Sequence, residues 1–377
     1  MIFGEELYPV EEEKLYDDEN SGIIIEPFDP KDVDIISQTM TIYNIMDRLR
    51  YDEIVLNPDF QRLPNLWNDE KQSRLIESLI IRIPLPTFYF DIDDDENLIV
   101  IDGLQRLTAI KRFAVLERDD PQKLKLTGLE YLQEYNGSYY EDLPPRIRRR
   151  INEQTIIAYL IRSGTPEKVR TSIFTRINTG GLTLEPAEIK NSVYRGQAAD
   201  LLKELAGTEE FRRATRNKIS PLRMLDCEFV NRFLAFYVLG VEQYRGNLED
   251  YLNDVLIVLK KTSKEKMNKY KIDFIKAMDY AYNIFGEKAF RKLDKNHNYR
   301  QINKPLFDAV AVNLAKLEKE ELDLLLQRKE ILLKRYEEAL DNTEFAQIIS
   351  NSTAKIVNVR KRYETISKLF EGIIKYD

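Results

Sequence analysis

The chain has 377 residues, 43% of them hydrophobic and 32% charged, with a net charge of −7. That length supports two separate cores, and the composition is that of a charge-rich globular protein. No apolar run approaches the roughly 20 residues that cross a bilayer. Residues 1–6 carry no basic segment, so a secretory signal is not expected and the expected compartment is the cytoplasm. The single cysteine, Cys227, excludes an internal disulfide and a cysteine-rich zinc site, and its spacing with Leu225, Phe229 and Phe233 reads as helix core.

Charge is unevenly spread. Residues 1–30 hold ten acids against Lys14 alone, a local −9 that leaves the remaining chain near +2. This leader, taken as residues 1–35, reads as extended, solvated and mobile, with a short strand at 23–25. Its alternative reading is a strand of negative charge that occupies a basic groove as a nucleic-acid mimic.

The spacing then predicts a helix over 39–49 and another over 69–81, capped by Asn68 or Asp69 with Leu75, Ile76, Leu79 and Ile80 inward. Strands at 87–92 and 98–101 read as a hairpin across an acidic turn. Asp102-Gly103 makes a sharp turn, and 104–113 reads as a helix with Leu104, Leu107, Ile110 and Ala114 on its inner face. Short apolar pieces at 124–126 and 129–132 suggest a second hairpin. Pro144-Pro145 opens a short basic helix, 154–161 returns as a strand, and Thr165-Pro166-Glu167 starts a helix reaching 179. A further helix is expected over 185–194. From 197 onward period-3.6 patterns dominate. The expected fold is therefore α+β: a small mixed-sheet domain over 36–196, then an all-helical domain over 197–377.

A strand, a glycine turn and a helix N-terminus leave backbone N–H groups converging on one spot, with the positive end of the helix dipole behind them. That spot favours an anion, usually a phosphate. Arg106 in the first turn fits an arriving negative ligand. Asp102 either caps the helix or holds a metal beside phosphates. The plain alternative is a cap next to a surface arginine. Arg62 has donor geometry suited to phosphate, or pairs with Glu70 or Asp69. Asn178 is either a ligand or a helix C-cap before Gly180-Gly181. Arg146, Arg148, Arg149 and Arg150 form the one dense basic run, read as a solvated helix end or as a nucleic-acid contact.

These residues carry a resemblance. Asp102-Gly103-Leu104-Gln105-Arg106 resembles the DGQQR signature of domain-of-unknown-function family 262, the nucleotide-hydrolysing module of GmrSD-type modification-dependent restriction enzymes. Asn57-Pro58-Asp59-Phe60-Gln61-Arg62 with Trp67 is similar to that family's NPxFQR…W segment. Leu75-Ile76-Glu77-Ser78 with Ile83-Pro84-Leu85-Pro86 resembles its LIES…IPIP passage, and Phe174 to Gly181 its FxxxN and INTGG segment. The departure is Leu104, where the family usually has glutamine. Asn178 with Leu184, Pro186 and Glu188 is more loosely similar to the metal-holding stretch of ParB chromosome-segregation proteins.

The resemblance implies a ParB/sulfiredoxin-like fold that binds a nucleoside triphosphate with Mg2+ and hydrolyses it in a prokaryotic defence or DNA-processing setting. It implies that Arg106 and Arg62 neutralise phosphate, with the N–H groups of Leu104 and Gln105 after Gly103 as a cradle. Asp102 and Asn178 would place the ion, Phe174 would line the nucleotide, and Gln105 or Gln61 would orient water. The implied partners are nucleotide, DNA and a separate effector or nuclease subunit. An HNH nuclease needs several histidines, and this chain has one, His297. A Walker-A loop and a CxxC pair are also absent. The rival class is a nucleotide- or DNA-binding module with little turnover. A third, direct DNA cleavage by the α/β domain, has only one Asp and one Asn to offer a metal.

Overall fold

The computed structural model describes residues 10, 11, 13–16, 29–56, 67–93, 95–177, 187, 190, 194, 196–221, 224–293 and 298–375. Residues 28–193 form one compact unit, and residues 1–27 with 194–377 form the other.

The first unit is built on a mixed five-stranded sheet. Its elements are β1 (Ile35–Thr41), α1 (Ile42–Arg50), β2 (Ile54–Val55), α2 (Asp69–Ile80), β3 (Phe88–Ile92), β4 (Leu98–Asp102), α3 (Leu104–Ile110), α4 (Pro145–Glu153), β5 (Thr155–Ile161) and α5 (Glu167–Ile177). The strand order is β1-β5-β3-β4-β2. β3 and β4 form the expected antiparallel hairpin, while β5 lies parallel to β3 and antiparallel to β1. A parallel neighbour needs a long crossover, here supplied by β4, α3 and α4. One face of the sheet, with Phe88, Phe90, Val100, Ala158 and Leu160, meets Ile45, Leu79, Leu107 and Phe113 in a single core.

Two local expectations change. Residues 39–41 end a strand rather than begin a helix: Thr39 and Thr41 pair with Ile157 and Thr155 of β5. β-branched Thr39 and Thr41 fit a pleated ladder, and Thr41 then caps α1 by accepting from Asn44 N at 3.1 Å. The second hairpin does not form. The N–H groups of Glu130, Tyr131 and Leu132 donate to the Glu77 carboxylate, and Gly128 turns the chain at φ 65°. Donors spent on a carboxylate cannot build a ladder. Elsewhere α2 is capped by Asn68, which accepts from Lys71 N at 2.9 Å, and α3 runs into a single π-helical turn, Lys111–Val115.

The second unit is dominated by helices, as its periodicity predicts. Lys304–Lys316 is its buried centre, with Leu306, Phe307, Val310, Val312 and Leu314 all at or below 1% exposure. Aromatic rings meet edge to face around it, Phe229 with Phe307 at 5.0 Å and Phe233 with Phe274 at 4.9 Å. Cys227 is buried in the helix Leu225–Leu234. The periodicity does not reveal a two-stranded antiparallel ribbon, β6 (Arg291–Leu293) and β7 (Tyr299–Ile302). Nor does it reveal that the described leader residues pack on this unit: Val10 bridges Ile302, and the Glu13 side chain is only 7% exposed. Buried cations account for the difference from a solvated leader. The strand expected at 23–25 lies outside the described residues. No helix among the described residues is long and apolar enough to cross a membrane.

Candidate nucleotide site

The turn after β4 is set by glycine. Gly103 sits at φ 104°, a conformation L side chains rarely adopt, and it opens α3 with no side-chain cap. A Cβ at this position would stand 2.4 Å from Phe88 Cδ1. The missing side chain thus lets the Phe88 ring press against the backbone of the turn. On that ring lies Arg106, its guanidinium carbon 4.3 Å from the ring centroid.

Arg106 is not a surface arginine: it is 8% exposed. Its Nη1 donates to the carbonyls of Pro86 and Thr87, and its Nη2 donates to Asp102 Oδ2 at 2.7 Å. Pro86 and Thr87 precede the start of β3 at Phe88, so their carbonyls lie outside the strand and are open to the guanidinium. Burial pulls the guanidinium below its ordinary value, and Asp102 opposes that pull. Asp102 does not cap α3. It spends Oδ2 on Arg106 and keeps a side chain 42% exposed at the lip of the turn.

Gln105 reaches the next segment. Its Oε1 accepts from Trp67 N at 3.2 Å, and Gln72 of α2 donates to Trp67 O at 2.7 Å. The start of α2 is thereby tied to the start of α3. Leu104 is half-buried and packs on the core. Phe174, fully buried on α5, is a packing residue of this unit. Arg170, one turn earlier, donates to Asp91 Oδ2 of β3 at 3.2 Å and to Ser163 O, fixing α5 to the sheet. Gln61, Arg62 and Asn178 lie outside the described residues.

Three features escaped sequence reasoning: the carbonyl clamp on Arg106, the Gln105–Trp67 link and the Asp91–Arg170 pair. The basic run lies on α4, where Arg146 and Arg149 are exposed and Arg148 and Arg150 half-buried, so it splays over more than one face. A cleft of about 610 Å³ in the same unit is lined by both signs of charge, among them Arg50, Asp52, Lys111 and Asp120, and includes none of the motif residues.

Among the described residues no group of three His, Cys, Asp or Glu could hold a metal ion. A magnesium ion needs fewer protein ligands. It keeps several waters and usually takes one or two carboxylates plus substrate phosphates. A half-exposed Asp102 beside an uncapped helix start fits that pattern.

Residues 42–195 match the family model described as GmrSD restriction endonuclease, N-terminal domain. The matched segment begins at α1, so it takes in the sheet-bearing unit apart from β1 and the residues before it, and contains the whole Asp102–Arg106 turn. No curated protein and no solved structure matches the chain.

Proposed function

We propose that residues 28–193 form a nucleoside triphosphate-binding and hydrolysing module of a prokaryotic restriction or anti-phage defence system, acting as a switch on DNA or on a separate effector. The observation that carries this reading is the Asp102–Arg106 turn, where an uncapped helix start meets a half-exposed carboxylate inside the segment similar to the GmrSD N-terminal domain. The N–H groups of Leu104 and Gln105 cradle phosphate. Arg106 and Arg62 would neutralise phosphate oxygens. Asp102 and Asn178 would hold Mg2+, which would supply charge neutralisation at the phosphates. Gln61 orients the attacking water. Arg146 and Arg149 are the exposed members of the run that would meet DNA phosphates.

The Gln105 carbonyl is already taken by Trp67 N, and this favours a second reading in which nucleotide is held with little turnover. One experiment separates the two. Phosphate release is measured with each of the four ribonucleoside triphosphates, with and without DNA, beside calorimetric binding. Release lost in Asp102→Ala supports the switch. Binding without release supports the second reading, and absence of binding to any triphosphate sinks both.

A further inference from the structure

The leader is seated in its unit as a peptide ligand is seated in a receptor. Val10 forms a single parallel bridge with Ile302, and Glu11 N donates to Ile302 O at 2.9 Å, so the leader pairs with the edge of the β6–β7 ribbon at one point. Further along, Thr353 N donates to Lys14 O at 3.1 Å and Ala354 N to Leu15 O at 2.9 Å. Main-chain pairing of this kind supplies affinity without sequence preference.

Preference comes from two carboxylate pockets. Glu11 accepts from Lys292 Nζ and from Asn303 Nδ2 at 3.0 Å. Glu13 accepts from Arg232 Nη1 at 2.7 Å and from Thr353 Oγ1 at 2.6 Å. Glu11 and Glu13 are two residues apart in sequence and each enters its own pocket, so the pockets read an acid-x-acid spacing. Arg232 is 1% exposed and also grips Asp308, which is fully buried and lies 3.6 Å from Arg362. Two buried guanidinium groups against one buried carboxylate leave a positive surplus that Glu13 cancels. An unpaired buried charge is costly, so this pocket is made to hold a carboxylate.

We propose that this groove is a recognition site for an extended acidic peptide with carboxylates two residues apart. The chain's own Val10, Glu11, Glu13, Lys14 and Leu15 hold it in cis until a partner protein's segment of the same chemistry displaces them. A covalently attached ligand acts at an effective concentration on the order of millimolar, so a partner enters only by binding the groove more tightly than the leader does, by enough to offset that concentration. A nucleic acid is the less suited occupant, because its backbone has no repeating N–H to pair with Ile302 O.

The test uses the full chain and a fluorescein-labelled peptide of residues 8–18, read by anisotropy. The native chain should bind it weakly. The full chain carrying Glu11→Gln and Glu13→Gln should bind it at least tenfold tighter, and a peptide with the same two substitutions should lose that gain. DNA oligonucleotides should not compete. A folded double variant that ignores the peptide, equal binding of the substituted peptide, or displacement by DNA overturns the proposal. If the double variant does not fold, a protease site placed between residues 18 and 26 of the native chain replaces it. After cleavage the labelled peptide should exchange for the leader in a folded protein; unfolding on cleavage, or a leader that never exchanges, overturns the proposal equally.

Discussion

Asp102 and Arg106 stand one helical turn apart and share a 2.7 Å ion pair, the carboxylate 42% exposed and the guanidinium only 10%. The two residues that a phosphate-and-metal reading would give to a ligand are engaged with each other. The pair is also unequal. Arg106→Ala strands the carbonyls of Pro86 and Thr87 together with Asp102, and should cost about 2–3 kcal/mol in urea unfolding, near the upper range for charged hydrogen bonds. Asp102→Asn keeps an acceptor oxygen for Nη2 and removes only the charge opposite the buried guanidinium, so it should cost less than Arg106→Ala, about 1–2 kcal/mol. Equal destabilisation by the two variants would contradict this assignment of the burial.

Gly103→Ala meets two penalties at once. The backbone at φ 104° is strained for any Cβ, and that Cβ would overlap Phe88. Left-handed strain of about 1–2 kcal/mol and overpacking of about 1–3 kcal/mol place the loss near 2–5 kcal/mol. Phe88→Leu should therefore cost less in the alanine background than in the native chain, because part of the clash is relieved. Additive losses in a double-mutant cycle would show that strain alone sets the penalty.

What could be read from the sequence was local. Leu98 to Asp102, the glycine turn and the helix after it, the Asn68 cap and the burial of Cys227 all follow from neighbours within a few residues. What could not be read depended on partners far along the chain. Thr39 to Thr41 are strand because β5 lies more than a hundred residues away, and 130–132 are a loop because Glu77 reaches them. Arg106 signalled its charge but not its acceptors. The leader's acids suggested solvation, since nothing near them announces Arg232 and Lys292 as counter-charges.

Glu77 gives the first unit a pH dependence with a definite sign. The residue is 3% exposed, and burial alone would push its carboxyl up. The N–H groups of Glu130, Leu132 and Tyr131, with Arg74 nearby, more than reverse that and hold it below its ordinary value of 4.5. A folded-state value below the unfolded one means the stabilisation is present above about pH 4.5 and is lost as pH falls through the folded value. Glu77→Gln should cost about 1.5–3 kcal/mol at neutral pH, and the gap from native should narrow below pH 4. A gap that stays constant from pH 7 to 3 would mean that the ionised form is not what holds the 130–132 loop.

Asn178 follows the last residue of α5, a helix fixed to β3 through Arg170 and Asp91. Its two readings separate by one substitution. As a C-cap it is replaceable by glycine, which accepts the left-handed conformation as well. As a ligand it needs an amide oxygen at the end of a side chain of that length. Asn178→Gly should leave the melting temperature within a few degrees, while magnesium-dependent nucleotide binding falls about tenfold, or roughly 1.4 kcal/mol. Asp91→Ala is the control for position. It strands a buried arginine, lowers stability by about 3 kcal/mol and should loosen α5 without removing any group proposed to meet the ion. Magnesium titrated at fixed nucleotide then distinguishes the roles. A raised midpoint in the glycine variant at unchanged melting temperature assigns Asn178 to the ion, and an unchanged midpoint returns it to the helix end and leaves Asp102 as the protein's carboxylate at the site.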